Sequence, residues 1–184
     1  MPNTLFNRYK ELARKAEITL GTKESLDWFR NRIRKDSRIR NHDRVTKNLL
    51  AERPGPGKMV TYVYEPKFKD KLKYYDNYPL IIMLDTTRDG WYGANIHYLP
   101  PKFRVALLEE IEYNSKSLRQ IAAALENNPL TKICLKRYLS KQVRSVPVTI
   151  PKEEWEIAIQ LPFENFQKLS MKEIWRESGA RKWI

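Results

Sequence analysis

Two histidines and one cysteine are the only imidazole and thiol groups in a chain of 184 residues. One of them, His97, sits in the stretch WYGANIHYLPPKFR, at the end of what reads as a strand. A histidine beside tyrosines there could serve as a catalytic base, or as a buried hydrogen-bonding residue at a strand-to-helix junction. Catalysis would need a nucleophile or a metal alongside it. Nothing nearby supplies one, and the other histidine, His42, stands among arginines. A structural role is therefore expected for His97. On a strand it would share a face with Asn95, with Ile96 and Tyr98 opposite.

Metal-dependent nuclease chemistry is a second reading. Asp85 and Asp89 flank a turn, and Asp70 and Asp76 flank a lysine-rich stretch. Magnesium nucleases gather carboxylates in this way, often with a lysine. Aspartates at turns are equally expected from side-chain-to-backbone hydrogen bonding, so the spacing is not specific. No glycine-rich phosphate loop, no G-x-S-x-G and no H-E-x-x-H occurs. The lone Cys134 excludes an internal disulfide and a cysteine-rich zinc site. No catalytic residue, metal ligand or cofactor is assigned, and a non-enzymatic protein is expected.

Charge is the stronger signal. Lysine and arginine total 35 against 22 acids, a net charge of +13. Such a balance points to an acidic partner, most often nucleic acid. The excess gathers in three segments. Residues 30–47 supply Arg30, Arg32, Arg34, Lys35, Arg38, Arg40 and Arg44. Residues 67–73, KFKDKLK, supply Lys67, Lys69 and Lys71. Residues 132–144 supply Lys132, Lys136, Arg137, Lys141 and Arg144, with no acid among them. Each base set on a phosphate releases condensed counterions, which gives salt-dependent affinity without sequence preference. Arginine forks add bidentate grip. The alternatives are a solvated face, or a surface for an acidic protein. In YVYEPKFKDKLKYYDNYP the aromatics interleave with lysines. They could stack on exposed bases, but tyrosines packed inward with lysines in water is the favoured arrangement.

Along the chain, Leu5, Tyr9, Leu12 and Ala16 recur at helical spacing, and a second helix opens after Thr22. Its apolar stripe then thins under dense arginine, suggesting an N-terminal basic helical arm over residues 1–52. RPGPG, ending at residue 57, reads as a linker. Residues 58–184 form the expected single α+β domain. KMVTYVYEP, PLIIMLD and WYGANIHYL read as strands of a small antiparallel, partly barrel-like sheet, joined by a late strand near residues 145–160. Pro101 suits the first turn of a helix. A further helix starts near Ser115, another spans LTKICLKRYLSKQV, and MKEIWRESGARKW is a short helix or docked tail. EEWEIAIQLP is read as a strand, with a helix as its alternative. No apolar run approaches the roughly 20 residues of a membrane span. The N-terminus lacks the apolar core of a signal peptide, so a soluble protein made in the cytoplasm is expected.

Several long stretches then resemble one family. They are GKMVTYVYEPKFKDKLKYYDNYPLIIML, DGWYGANIHYLPPKFRVALLEEI, KICLKRYLSKQVRS and EEWEIAIQLPFENFQK running into KEIWRESGARKWI. In this order they resemble virion proteins of contractile-tailed phages, of the DNA end protector or virion structural kind. The resemblance implies a non-enzymatic virion protein near the portal or tail, bound to double-stranded DNA ends and to other virion proteins. A structural connector of neck, tail or baseplate, acting through protein contacts, is the alternative. Within the match, "HYLPP" is expected to be a fold-specifying corner, with His97 bonding its neighbours and Gly93 permitting close backbone approach.

Overall fold

The computed structural model describes residues 4–34, 42–47, 49, 54–112 and 116–177. It is an α+β protein whose sheet has the order β5-β4-β3-β1-β6. The strands are β1 (Met59–Thr61), β3 (Leu80–Thr87), β4 (Gly90–Asn95), β5 (Leu135–Leu139) and β6 (Val148–Thr149). Every pairing is antiparallel. The sheet is open, with β5 and β6 at its edges, and does not close into the barrel-like form expected. A separate ribbon pairs β2 (Tyr75–Asp76) with β7 (Phe166–Gln167).

Helices α1 (Leu5–Lys15) and α2 (Lys23–Arg34) begin as their sequences dictate. Thr4 caps α1 by accepting the Asn7 N–H at 3.1 Å. Thr22 and Ser25 cap α2 reciprocally, at 3.0 and 3.2 Å. Such caps satisfy N–H groups that a helix leaves without partners. The apolar faces of both helices enter the main core: Phe6, Tyr9, Phe29 and Ile33 join one buried cluster with Met59, Ile82, Ile96 and Trp155. Burial of each such large side chain stabilises the fold by about 1.5–3 kcal/mol. The short helix α3 (His42–Val45) follows, and Val45 reaches the same cluster.

Period-two alternation along β3 divides the core. Leu80, Ile82 and Leu84 belong to the helix-covered cluster. Ile81 and Met83 join Val60, Tyr62, Tyr64, Trp91 and Tyr138 in a second cluster. There the Tyr62 ring meets Trp91 and Tyr138 edge-on, at centroid distances of 5.3 and 5.6 Å. The Trp91 indole N–H donates to the Tyr62 hydroxyl at 2.8 Å. Tyr62 and Tyr64 thus pack inward, as expected for the aromatic-lysine stretch.

Helix α4 (Pro101–Glu112) starts on the proline expected for its first turn. Helix α5 (Leu118–Asn127) opens with a capping box of Ser117 and Gln120, and α6 (Pro129–Lys132) with Asn128 as its cap. Two expectations are corrected here. Only the start of LTKICLKRYLSKQV is helical; residues 135–139 are strand β5, because they pair along β4 and Tyr138 fills the aromatic cluster. EEWEIAIQLP is not a strand: a 3-10 turn at Lys152–Glu154 leads into α7 (Trp155–Ala158). The late strand is the two-residue β6 alone. Helix α8 (Met171–Glu177) is capped by Ser170 and Glu173 in the same reciprocal way.

Candidate nucleic-acid interface

Two of the three basic segments meet: residues 67–73 and the end of residues 132–144. Residues 67–73 form an exposed loop after β1, and the 3-10 turn Ser140–Gln142 follows β5. Backbone pairing holds their roots together: the Glu65 N–H donates to the Gln142 carbonyl at 3.0 Å and the Arg144 N–H to the Val63 carbonyl at 2.8 Å. The Glu65 carboxylate then takes both Lys69 and Arg144, the latter at 3.3 Å. These two hydrogen-bonded cations hold its carboxyl below its ordinary range. A single exposed acid therefore fixes the spacing of two basic segments. Its own ion pairs are exposed and add little to stability.

The loop is also tied through its own carbonyls. The Lys168 ammonium donates to the carbonyls of Lys69, Asp70 and Leu72, at 2.7, 3.1 and 2.6 Å. Lys168 sits at a φ of 73°. That left-handed conformation is strained for a side-chain-bearing residue, and persists because its surroundings fix it. Phe68 stands out of this loop, 57% exposed, with the Lys67 ammonium 5.2 Å from its ring centre. It is the aromatic exception to inward packing, and the sequence pattern alone does not single it out. The available signal is its place in a lysine run with no strand or helix period around it.

Other candidates lie elsewhere. Arg30 reaches the Met171 sulfur at 3.7 Å, while Lys73 pairs with Glu177 at 2.6 Å, so they flank opposite ends of α8. Arg32 is exposed on α2, and Lys132 is exposed at the end of α6. Arg137 pairs with Asp89 at 2.6 Å. Lys136 is half-buried with its ammonium 4.4 Å from the Tyr98 ring centre, and burial lowers its pKa. The side chains of Arg34 and Arg44, and the whole of Lys35, Arg38 and Arg40, lie outside the described residues.

The histidine question is settled by geometry. His97 is not on a strand; it lies in the 3-10 turn Ile96–Tyr98, where its N–H is capped by the Asn95 side-chain oxygen at 3.0 Å. The ring is fully buried, and its Nδ1 lies 2.6 Å from Asp76 Oδ2. An ionised carboxylate only accepts, so Nδ1 carries the proton and donates. Asp76 also accepts from the Asn95 amide at 3.3 Å and from the N–H groups of Tyr78 and Asn165, both at 3.0 Å. Burial pushes the Asp76 carboxyl up, but His97 and these donors outweigh it and hold it below its ordinary value. The pair ties β2 to the corner after β4. Gly93 allows the expected close approach: an added Cβ would stand 2.9 Å from the Ile82 carbonyl oxygen.

Arg104 is a second buried ion that sequence reasoning missed. It is 1% exposed and donates to the carbonyls of Leu99 at 2.7 Å, Ile159 at 2.9 Å and His97 at 3.4 Å. Desolvation lowers its pKa to about 10. It staples the chain entering α4 to the end of α7. The aspartates considered for a metal do not converge: Asp76 is buried under His97, and Asp89 is held by Arg137. Among the described residues, no three carboxylate, imidazole or thiol groups come together to hold a metal ion. Also among them, no helix is long and apolar enough to cross a membrane.

Comparison with curated proteins and with solved structures returned no match. A family model does match, over residues 1–178, and so takes in the N-terminal segment that the resemblance from Lys58 onward left aside. The chain belongs to the family described as the phage T4 terminal DNA protecting protein.

Proposed function

We propose that this protein sits in the virion and shields the ends of double-stranded DNA. It does so without catalysis and without reading base sequence, through the surface of residues 67–73 and 140–144. The observation that carries this is the joining of two basic segments through Glu65, which presents Lys67, Lys69, Lys71, Lys141 and Arg144 together. Clustered cations supply phosphate affinity. Phe68 supplies what a plain cationic surface lacks, an exposed ring beside those cations that can stack on a terminal base pair.

The test compares binding to a linear duplex with binding to a closed circle of the same sequence, with an exonuclease challenge on the linear form. The protein is expected to prefer the linear form and to block the exonuclease. Substituting Lys67→Gln, Lys71→Gln and Lys141→Gln together should weaken binding to both forms. The logarithmic slope of affinity against salt should become shallower by about 0.9 for each phosphate no longer neutralised. Phe68→Ala should spare general binding and reduce the preference for ends, by about 1–3 kcal/mol per stacked base. Equal, salt-labile binding to both forms would sink end recognition and favour the connector reading, with its charge serving assembly.

A further inference from the structure

Among the described residues, the large apolar side chains that stand exposed are Phe68 at 57%, Leu72 at 39% and Val146 at 67%. All of them border the basic surface. Phe68 and Leu72 belong to the lysine loop, and Val146 follows Ser145, whose hydroxyl accepts the Val63 N–H near the root of that loop. Single apolar residues scattered over a surface are ordinary. These gather at one place.

The loop has an internal order. The N–H groups of Lys71 and Leu72 both donate to the Phe68 carbonyl, at 3.0 and 3.1 Å, and the Lys69 N–H donates to the Pro66 carbonyl at 3.2 Å. Residues 66–72 are thus wound as one helical turn. Residues four apart share a side of such a turn. Phe68 and Leu72 form an apolar stripe, and Lys67 and Lys71 form a cationic stripe next to it. Neither of these lysines makes an ion pair among the described residues, and nor does Lys141. Glu65 is occupied by Lys69 and Arg144, which leaves Asp70 as the acid exposed within the turn. The carbonyls of Lys69, Asp70 and Leu72 already accept from Lys168, so these main-chain groups do not depend on water.

We propose that this turn inserts into the surface of an anionic lipid leaflet. Phe68 and Leu72 enter the boundary between headgroups and acyl chains, while Lys67, Lys71 and Lys141 meet the lipid phosphates. Binding of this kind grows with buried apolar area and with attraction to anionic lipid. The residue types choose among occupants. A terminal base pair offers a π-face to Phe68 but nothing to the aliphatic Leu72 or Val146. Protein interfaces are depleted of lysine, whereas here lysines surround the apolar pair. A fluid leaflet takes protruding side chains without a preformed pocket, and lysine stems lie along its boundary with the charge in water. The lipid contact does not rest on the DNA reading, but it draws on the same cations, so duplex DNA and lipid compete for them.

The test mixes the full chain, without DNA, with vesicles of phosphatidylcholine alone or of phosphatidylcholine and phosphatidylglycerol. Co-sedimentation reads partition, and the surface pressure of a monolayer of the mixed lipid reads insertion. The protein is expected to partition onto the mixed vesicles, to raise the monolayer pressure and to leave neutral vesicles largely unbound. Lys67→Gln with Lys71→Gln should lower partition about fivefold for each lysine. Phe68→Ser with Leu72→Ser, both on exposed side chains, should lower it about tenfold or more and abolish the pressure rise. Leu72→Ser alone should reduce the pressure rise and leave the preference for linear over circular DNA unchanged, which separates the two uses of the surface. Duplex DNA should release the protein from the mixed vesicles. Three results would overturn the proposal: no binding to the mixed vesicles, binding without a pressure rise, or a pressure rise untouched by Phe68→Ser with Leu72→Ser. A Leu72→Ser variant that loses end preference and keeps its lipid binding would overturn it too, assigning the apolar stripe to DNA.

Discussion

Asp76→Ala is expected to lower the free energy of unfolding by about 3–5 kcal/mol, measured by denaturant titration. The carboxylate accepts from His97, Asn95 and the N–H groups of Tyr78 and Asn165. Its removal leaves these donors without an acceptor where water does not reach. Asp76→Asn should cost less, because an amide oxygen can still serve the two backbone donors. The acid limb separates the two causes. The folded carboxyl is held below its ordinary value of 3.8. Its contribution is thus complete above that value and is lost as pH falls through the depressed one. Stability of the native sequence should decline below about pH 4, and that part of the decline should vanish in Asp76→Asn. An unchanged acid profile in the variant would show that the His97–Asp76 pair is energetically idle.

Gly90→Ala is expected to be comparably severe, about 3 kcal/mol or more, because the strain falls on backbone and not on a yielding side chain. A Cβ there would stand 1.8 Å from the Tyr138 carbonyl oxygen. Strands β4 and β5 would have to part, and β5 delivers the turn that carries Lys141 toward the lysine loop. Amide hydrogen exchange should show β5 losing protection while the β1–β3 pairing keeps its own. Affinity for DNA should fall in parallel, although residue 90 carries no charge. A variant that folds with normal protection along β5 would contradict the register.

Most elements with local determinants were legible in the sequence. Thr22 and Pro101 mark helix starts by chemistry confined to a few residues, and the unbroken apolar run of PLIIML marks a strand buried on both faces. Strand β5 was not legible as a strand, because KRYL has no period of its own to read; its conformation is set by β4, more than 40 residues away in the register Trp91 to Tyr138. Segment 152–161 failed differently: residues 157–161 are all buried, which erases the periodicity that separates strand from helix. The role of His97 followed from what the sequence lacked beside it. Its partner did not, since Asp76 looked like any turn aspartate. The Asp76-Asn77-Tyr78-Pro79 run does signal the side-chain turn that captures the Tyr78 N–H. Arg104 gave no signal, because its acceptors are carbonyls, which every residue has. The basic segments were legible as charge, but the meeting of two of them was not, since Glu65 and Arg144 lie 79 residues apart in sequence.

The three carbonyls gathered by Lys168 bear on how tightly a ligand can be held. A loop of lysines would ordinarily sample many shapes through mutual repulsion, and a polyanion would have to freeze one of them. Here the negative ends of three peptide dipoles already converge on a fifth lysine that takes no part in the exposed run. The shape is chosen before the ligand arrives. Less conformational entropy is then lost on association, and more of the electrostatic attraction survives as affinity.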